Sequence, residues 1–128
     1  MQDSKHETPS FVSKTRAIVE ATHDLKAEQV VALDMREVSS FADSFVIASG
    51  RSGRHVRSIA DAIIETLVKM GERPLGVEGL EEGHWILIDA NDAIISVFEP
   101  EAREEFALER LWSDAPVIEF DFEEPAES

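Results

Sequence analysis

Pro74-Leu75-Gly76-Val77-Glu78-Gly79 leads through a polar loop to His84-Trp85-Ile86-Leu87-Ile88-Asp89, and Ala90-Asn91-Asp92 separates that run from Ala93-Ile94-Ile95-Ser96-Val97-Phe98. Trp85–Ile88 and the run after Asp92 are rich in β-branched and aromatic residues, which suit a pleated and mostly buried strand. Asn91 tolerates positive φ, so the break predicts a short antiparallel hairpin. Apolar residues fall on both faces of its strands. Both faces must therefore be covered, and the long apolar helices that could cover them lie earlier in the chain. Trp85 stands at the mouth of its strand, just after Gly79-Leu80-Glu81-Glu82-Gly83. By residue type alone, a Trp there reads as core before it reads as a contact.

Upstream, Arg73 to Glu78 reads as a strand, and Gly71 as the stop of the helix before it. Ser52 is the N-cap of that helix, and Val56, Ile59, Ala60, Ile63, Leu67 and Met70 form its apolar stripe. Asp43 to Gly50 and Val30 to Met35 read as two further strands, joined by the polar stretch 36–42. Thr8-Pro9-Ser10 starts a first helix, with Pro in its first turn. Phe11, Val12, Ile18, Val19 and Leu25 are its apolar residues, Lys14, Arg16, Glu20 and Asp24 stand between them, and it ends near Lys26. Downstream, Glu99-Pro100-Glu101 opens a last helix running to Trp112, with acids where the helix dipole favours them and with Phe106, Leu111 and Trp112 to dock it. Val117-Ile118-Glu119-Phe120-Asp121-Phe122 alternates like a strand. Two readings are open for it: a strand on a sheet edge, or an ordered stub before a loose acidic tail.

The order is helix, strand, strand, helix, three strands, helix. Strands joined through a helix favour parallel pairing and the hairpin favours antiparallel pairing. The expected class is therefore α/β, with a mixed five-stranded sheet flanked by helices in a two-layer or three-layer sandwich. A length of 128 residues bounds one domain. It is expected over 10–118, after a flexible N-terminus at 1–9 and before an acidic tail at 119–128.

With no cysteine, disulfides, thiolate zinc sites and Cys nucleophiles are excluded. The first residues are polar and lack an apolar signal core, and no apolar run approaches the roughly 20 residues of a membrane span. A cytoplasmic chain without membrane contact is the expectation. There are 27 acids against 12 Lys and Arg, for a net charge of −15. Phosphate backbones repel such a surface, so direct nucleic-acid binding is disfavoured as the main mode. A basic protein partner would gain in association rate from the same field. The plainer reading is that the acidity only keeps the chain soluble.

Gly50-Arg51-Ser52-Gly53 opens a helix after a strand, where phosphate can meet backbone N–H groups. It lacks the Gly-Lys-Ser/Thr of a P-loop and any dinucleotide fingerprint, so it reads as a capped turn. Gly-x-Ser after a strand also suits nucleotidyl transfer, which needs carboxylates to hold Mg²⁺ beside the loop. No D-x-D pair follows; Asp89 and Asp92 flank the hairpin turn instead. Of His6, His23, His55 and His84, none has the spacing of a metal-binding helix. His55 and His84 read as surface or supporting residues. No nucleophile, base and orienting group assemble, and no metal or cofactor is implied.

Five blocks carry a family resemblance: Leu25-Lys26-Ala27-Glu28 with Ala32-Leu33-Asp34; Asp43-Ser44-Phe45-Val46-Ile47 with Gly50 and Ser52; Gly76-Val77-Glu78-Gly79; Trp85-Ile86-Leu87-Ile88-Asp89; and Arg103 with Phe106-Ala107-Leu108-Glu109 and Leu111-Trp112. Each alone is weak. In this order, from about residue 10 to 114, they resemble the ribosomal silencing factor, or Iojap, family. The resemblance implies a nucleotidyltransferase-like sandwich without catalytic acids, and no enzyme activity. It implies binding to large-subunit ribosomal protein fourteen on the large ribosomal subunit, steric blocking of subunit joining, and lowered translation when nutrients are short. It implies a homodimer when the protein is free. Carried over, its binding surface is His84, Trp85, Leu87 and Asp89, with Arg103, Glu109 and Trp112 beside them. In a strand Trp85, Leu87 and Asp89 share one face. Ser96 stands where the family usually has His, and Phe106 where it usually has Tyr. The alternatives are an assembly adaptor for the large subunit, or a residual nucleotidyltransferase using Ser52 with Asp89 or Asp92.

Overall fold

Helix α1 spans Phe11–Asp24 and buries Ile18, Val19, Ala21 and Thr22. It closes where Lys26 takes a φ of 60° and the Ala27 N–H reaches the Thr22 carbonyl at 3.0 Å. The computed structural model describes residues 11–40, 42–106 and 115–120. The expected flexible start at 1–9, the tail beyond Phe120, and the last helix from 107 to Trp112 lie outside them. The remaining elements are β1 (Glu28–Asp34), β2 (Ser44–Ser49), α2 (Gly53–Lys69), β3 (Gly76–Glu78), β4 (Trp85–Asp89), β5 (Ala93–Phe98) and α3 (Pro100–Phe106). This is the element order expected, with β3 shorter than the run from Arg73.

Local chemistry explains the boundaries of α2. The Ser52 hydroxyl accepts the His55 N–H at 3.2 Å, capping the first turn. At the other end Gly71 takes a φ of 85°, and the Glu72 and Gly71 N–H groups return to the Leu67 and Val68 carbonyls. That double return is the Schellman closure, which a glycine adopts without strain. The hairpin turn is equally local. Asn91 has a φ of 77°, its N–H is accepted by Asp89 Oδ1 at 3.1 Å, and the Ala90 N–H bonds the Ala93 carbonyl.

The sheet order is β1-β2-β5-β4-β3. Only β2 and β5 are parallel; the other neighbours are antiparallel. The pleat divides the apolar residues between two cores. Ala32, Val46, Ile86, Ile88, Ile95 and Val97 face α1 and α2. Leu33, Phe45, Ile47 and Phe98 face the opposite way, where Ala102 of α3 and Ala115 pack on them. The sandwich therefore has three layers: the earlier helices cover one face of the hairpin, and the other is covered only in part, by α3 and Ala115.

Two findings differ from the sequence reading or complete it. Lys14, placed among the polar residues of α1, is only 1% exposed. Its Nζ donates to Glu72 Oε1, to Asp92 Oδ1 at 2.7 Å and to the Ala90 carbonyl at 2.7 Å. The ammonium ties α1 to the end of α2 and to the hairpin turn, which periodicity along one helix could not show. At Val117 the described residues show a single bridge to the β1 edge and no strand over 118–120, and the tail of the other reading lies outside them. Val117 bridges Leu33, with the Asp34 N–H on the Pro116 carbonyl and the Ile118 N–H on the Ala32 carbonyl, both at 2.8 Å. Ile118 and Phe120 then pack on the core of α1 and α2.

Ser96 is fully buried between its ladder partners Leu87 and Ile47, and its hydroxyl has no partner among the described residues. An unmet buried hydroxyl is costly. Ser96→Ala is expected to raise stability by about 1 kcal/mol, read as a higher urea midpoint with an unchanged slope.

Candidate functional site

The register of β4 against β5 builds the site. Trp85 pairs with Phe98, Leu87 with Ser96, and Asp89 with Ile94. Trp85, Leu87 and Asp89 are half-buried, alternating with the fully buried Ile86 and Ile88 that hold the strand on α2. The predicted shared face thus exists, as an apolar strip ending in a carboxylate. The Trp85 ring stacks on Phe98, with centroids 5.2 Å apart and planes 21° from parallel. Trp85 is therefore both core and surface: it packs on the second core, and a minor part of the residue remains exposed.

Gly79 shapes the approach to this strand. Its φ is 87°, and a Cβ there would lie 2.1 Å from the Trp85 carbonyl oxygen. Only glycine lets the loop fold this closely over the start of β4. Beyond the ladder, the Glu99 N–H donates to the His84 carbonyl at 2.9 Å, and Glu99 Oε1 lies 2.9 Å from His84 Nδ1. His84 is exposed, and hydrogen bonding to Glu99 raises its pKa above the ordinary 6.5, helped by the charges of Glu99, Glu82 and Glu101. A raised histidine pKa means that the link is fully formed below pH 6.5 and is lost as pH climbs through the higher folded value. In Glu99→Gln, the His84 ring titration followed by NMR is expected to fall back toward 6.5. An unchanged midpoint would rule out this pairing.

The rim is acidic. Glu78 is the ladder partner of Leu87, and Glu82, Glu99 and Glu101 surround His84. Arg103 does not join it. It is 6% exposed, and its Nη1 donates to the Ser49 hydroxyl at 2.8 Å and to the Gln29 carbonyl. Gln29 sits at a bulge in β1 with a φ of 52°, which turns its carbonyl out of the ladder. Arg103 thus fastens α3 to the β1–β2 edge, and its burial corrects its expected place on the contact surface. Glu109 and Trp112 lie outside the described residues.

The residual nucleotidyltransferase reading fails on placement. Ser52 follows β2 at the end of the sheet where Ser49 pairs with Phe98 and Phe98 with Trp85. Asp89 and Asp92 lie at the other end, beside Ile94 and Ala93, about 16 Å away along the strands. Each is also engaged: Ser52 caps α2, Asp89 accepts from Asn91, and Asp92 holds Lys14. His55 is a supporting residue. Its Nδ1 accepts the Arg51 N–H and its Nε2 donates to the Leu25 carbonyl, joining the start of α2 to the end of α1. Among the described residues no helix is long and apolar enough to cross a membrane, and no group of three His, Asp or Glu side chains could hold a metal.

Phe98, Glu99 and Gly79 were not among the expected site residues. Counting back equally from the Asn91 turn pairs Trp85 with Phe98, so that signal was present in the hairpin.

Comparison with known proteins places the whole chain in a family. Residues 8–128 match the family described as ribosomal silencing factor during starvation. The ribosomal silencing factor RsfS of Halalkalibacterium halodurans is 41% identical over 103 residues, covering 80% of this chain and 88% of that protein. A crystal structure of a Chromobacterium violaceum protein superposes with a TM-score of 0.81 at 28% identity, covering 90% of this chain and 95% of that one. A mouse protein named mitochondrial assembly of ribosomal large subunit protein 1 is 30% identical over 94 residues, covering 68% of this chain and 40% of that protein. With residues 8–128 matched and a silencing factor 41% identical over most of both chains, this chain belongs to the ribosomal silencing factor family.

Proposed function

We propose that this protein docks on the large ribosomal subunit through the Trp85–Leu87–Asp89 face, with large-subunit ribosomal protein fourteen as its contact, and silences translation by blocking subunit joining. The observation that carries the reading is the preset aromatic anchor at the head of a half-exposed strand with an acidic rim. A large aromatic beside a small apolar strip, ringed by charge, is the usual form of a binding hot spot. Glu78, Glu82, Glu99, Glu101 and Asp89 suit a basic protein surface and repel bare phosphate. Membership of the silencing family supplies the ribosomal context. A homodimer of the free protein belongs to the same reading, as does a cytoplasmic location.

The test is sedimentation of the purified protein with isolated large subunits, followed by addition of small subunits. Saturable co-sedimentation with fewer joined ribosomes is expected, and binding should weaken as salt rises. The name of the mouse relative favours a second reading, in which the protein assists assembly of the large subunit. Binding with undiminished joining would select that reading. Absence of binding even at low salt would leave the family match reporting fold alone.

A further inference from the structure

Trp85 is held in place before any partner arrives. Phe98 lies directly opposite it in the ladder and stacks against its ring. Phe98 is itself 0% exposed and belongs to the second core. The Trp85 backbone is pinned at two points: the Glu99 N–H holds the His84 carbonyl, and the loop at Gly79 lies against the carbonyl of Trp85 itself. An anchor already fixed in its bound orientation loses little side-chain freedom on docking, so more of its contact energy appears as affinity.

We infer that Phe98 is the positioning residue of the docking face: its buried ring sets the Trp85 indole in the orientation in which a partner's apolar pocket receives it. Phe98 cannot touch a partner, because none of its surface is exposed. It acts only through Trp85. The inference rests on the reading of Trp85 as the anchor.

The test compares Phe98→Met with the unaltered protein. Methionine fills a similar volume with an unbranched, adaptable chain and removes the aromatic face. Affinity for isolated large subunits is measured by sedimentation, and motion of the Trp85 indole by relaxation of its N–H in NMR. The chain has two tryptophans, so the Trp85 signal is assigned by its loss in Trp85→Phe. The expected result is a cooperative melt, an indole that moves faster on the nanosecond scale, and affinity lowered about three- to tenfold, as the loss of an aromatic pair implies. A folded Phe98→Met protein with a freed indole and unchanged affinity overturns the inference while the docking reading stands. Failure of the unaltered protein to bind overturns the docking reading, and the inference with it. If Phe98→Met does not fold, the unaltered protein decides. A rigid indole in the free protein supports the inference, and one already mobile there overturns it.

Discussion

Trp85→Ala is expected to weaken binding to isolated large subunits by about 30-fold or more, the effect of losing a central aromatic worth about 2 kcal/mol. The residue combines a large apolar surface, a fixed orientation on Phe98 and a place at the head of the only half-exposed strip of β4. Leu87→Ala removes the next side chain on that strip and is expected to cost less, because less area is lost. Asp89→Asn is the useful contrast. Asparagine keeps an oxygen for the Asn91 N–H, so the turn survives while the charge is lost. Its effect should appear in the association rate and its salt dependence, more than in dissociation. Trp85 also packs on the second core, so each variant must be checked for a cooperative melt, and binding measured well below it. A folded Trp85→Ala protein that binds with unaltered affinity would remove this face from the docking surface.

Lys14→Met is expected to destabilise the fold by about 3 kcal/mol, at the lower end of the range for breaking a buried ion pair. For a domain of this size that corresponds to a melting point lower by about 10 °C. The cost arises from the partners left behind. Glu72 and Asp92 would face each other as like charges without the ammonium, and the Ala90 carbonyl would lose its donor. Both carboxylates keep some contact with water, which places the cost below that of a fully enclosed pair. Replacing all three as Lys14→Met, Glu72→Gln and Asp92→Asn is expected to recover most of the loss, since no charge is then left unpaired. The triple variant losing more than Lys14→Met alone would show that the network is favourable in its own right.

The pH dependence follows from the same contacts. Burial opposes the Lys14 charge, yet hydrogen bonds to Asp92 and Glu72, with their charges, outweigh it and raise its pKa above 10.5. A lysine pKa raised on folding adds stability that is complete below the unfolded value and lost as pH rises through the folded one. The hub therefore contributes fully at neutral pH. On the alkaline side, the stability gap between the unaltered protein and Lys14→Met is expected to narrow above pH 10.5, as the ammonium loses its proton.

Features under short-range chemical control were legible along the chain. Ser52 caps α2 because its hydroxyl reaches a backbone N–H three residues on, Gly71 and Asn91 turn the chain because they tolerate positive φ, and two-residue alternation puts Trp85, Leu87 and Asp89 on one face. The residue pattern also carried the family, since the Trp-led strand and its companions occur in order. Features built from residues far apart in the chain emerged only on folding. The sheet places β5 between β2 and β4, so the hairpin becomes interior and one of its faces receives only partial cover. No local signal encodes that order, because strand pairing is chosen by burial summed over the whole sheet. The same distance hid the charged residues. Lys14 and Arg103 look like surface side chains in their own helices, and their partners lie up to 78 and 74 residues away. Only the closed fold brings an ammonium to Asp92 and a guanidinium to the bulge at Gln29, and so decides that one residue holds the turn and the other holds α3, while Trp85 is left to face outward.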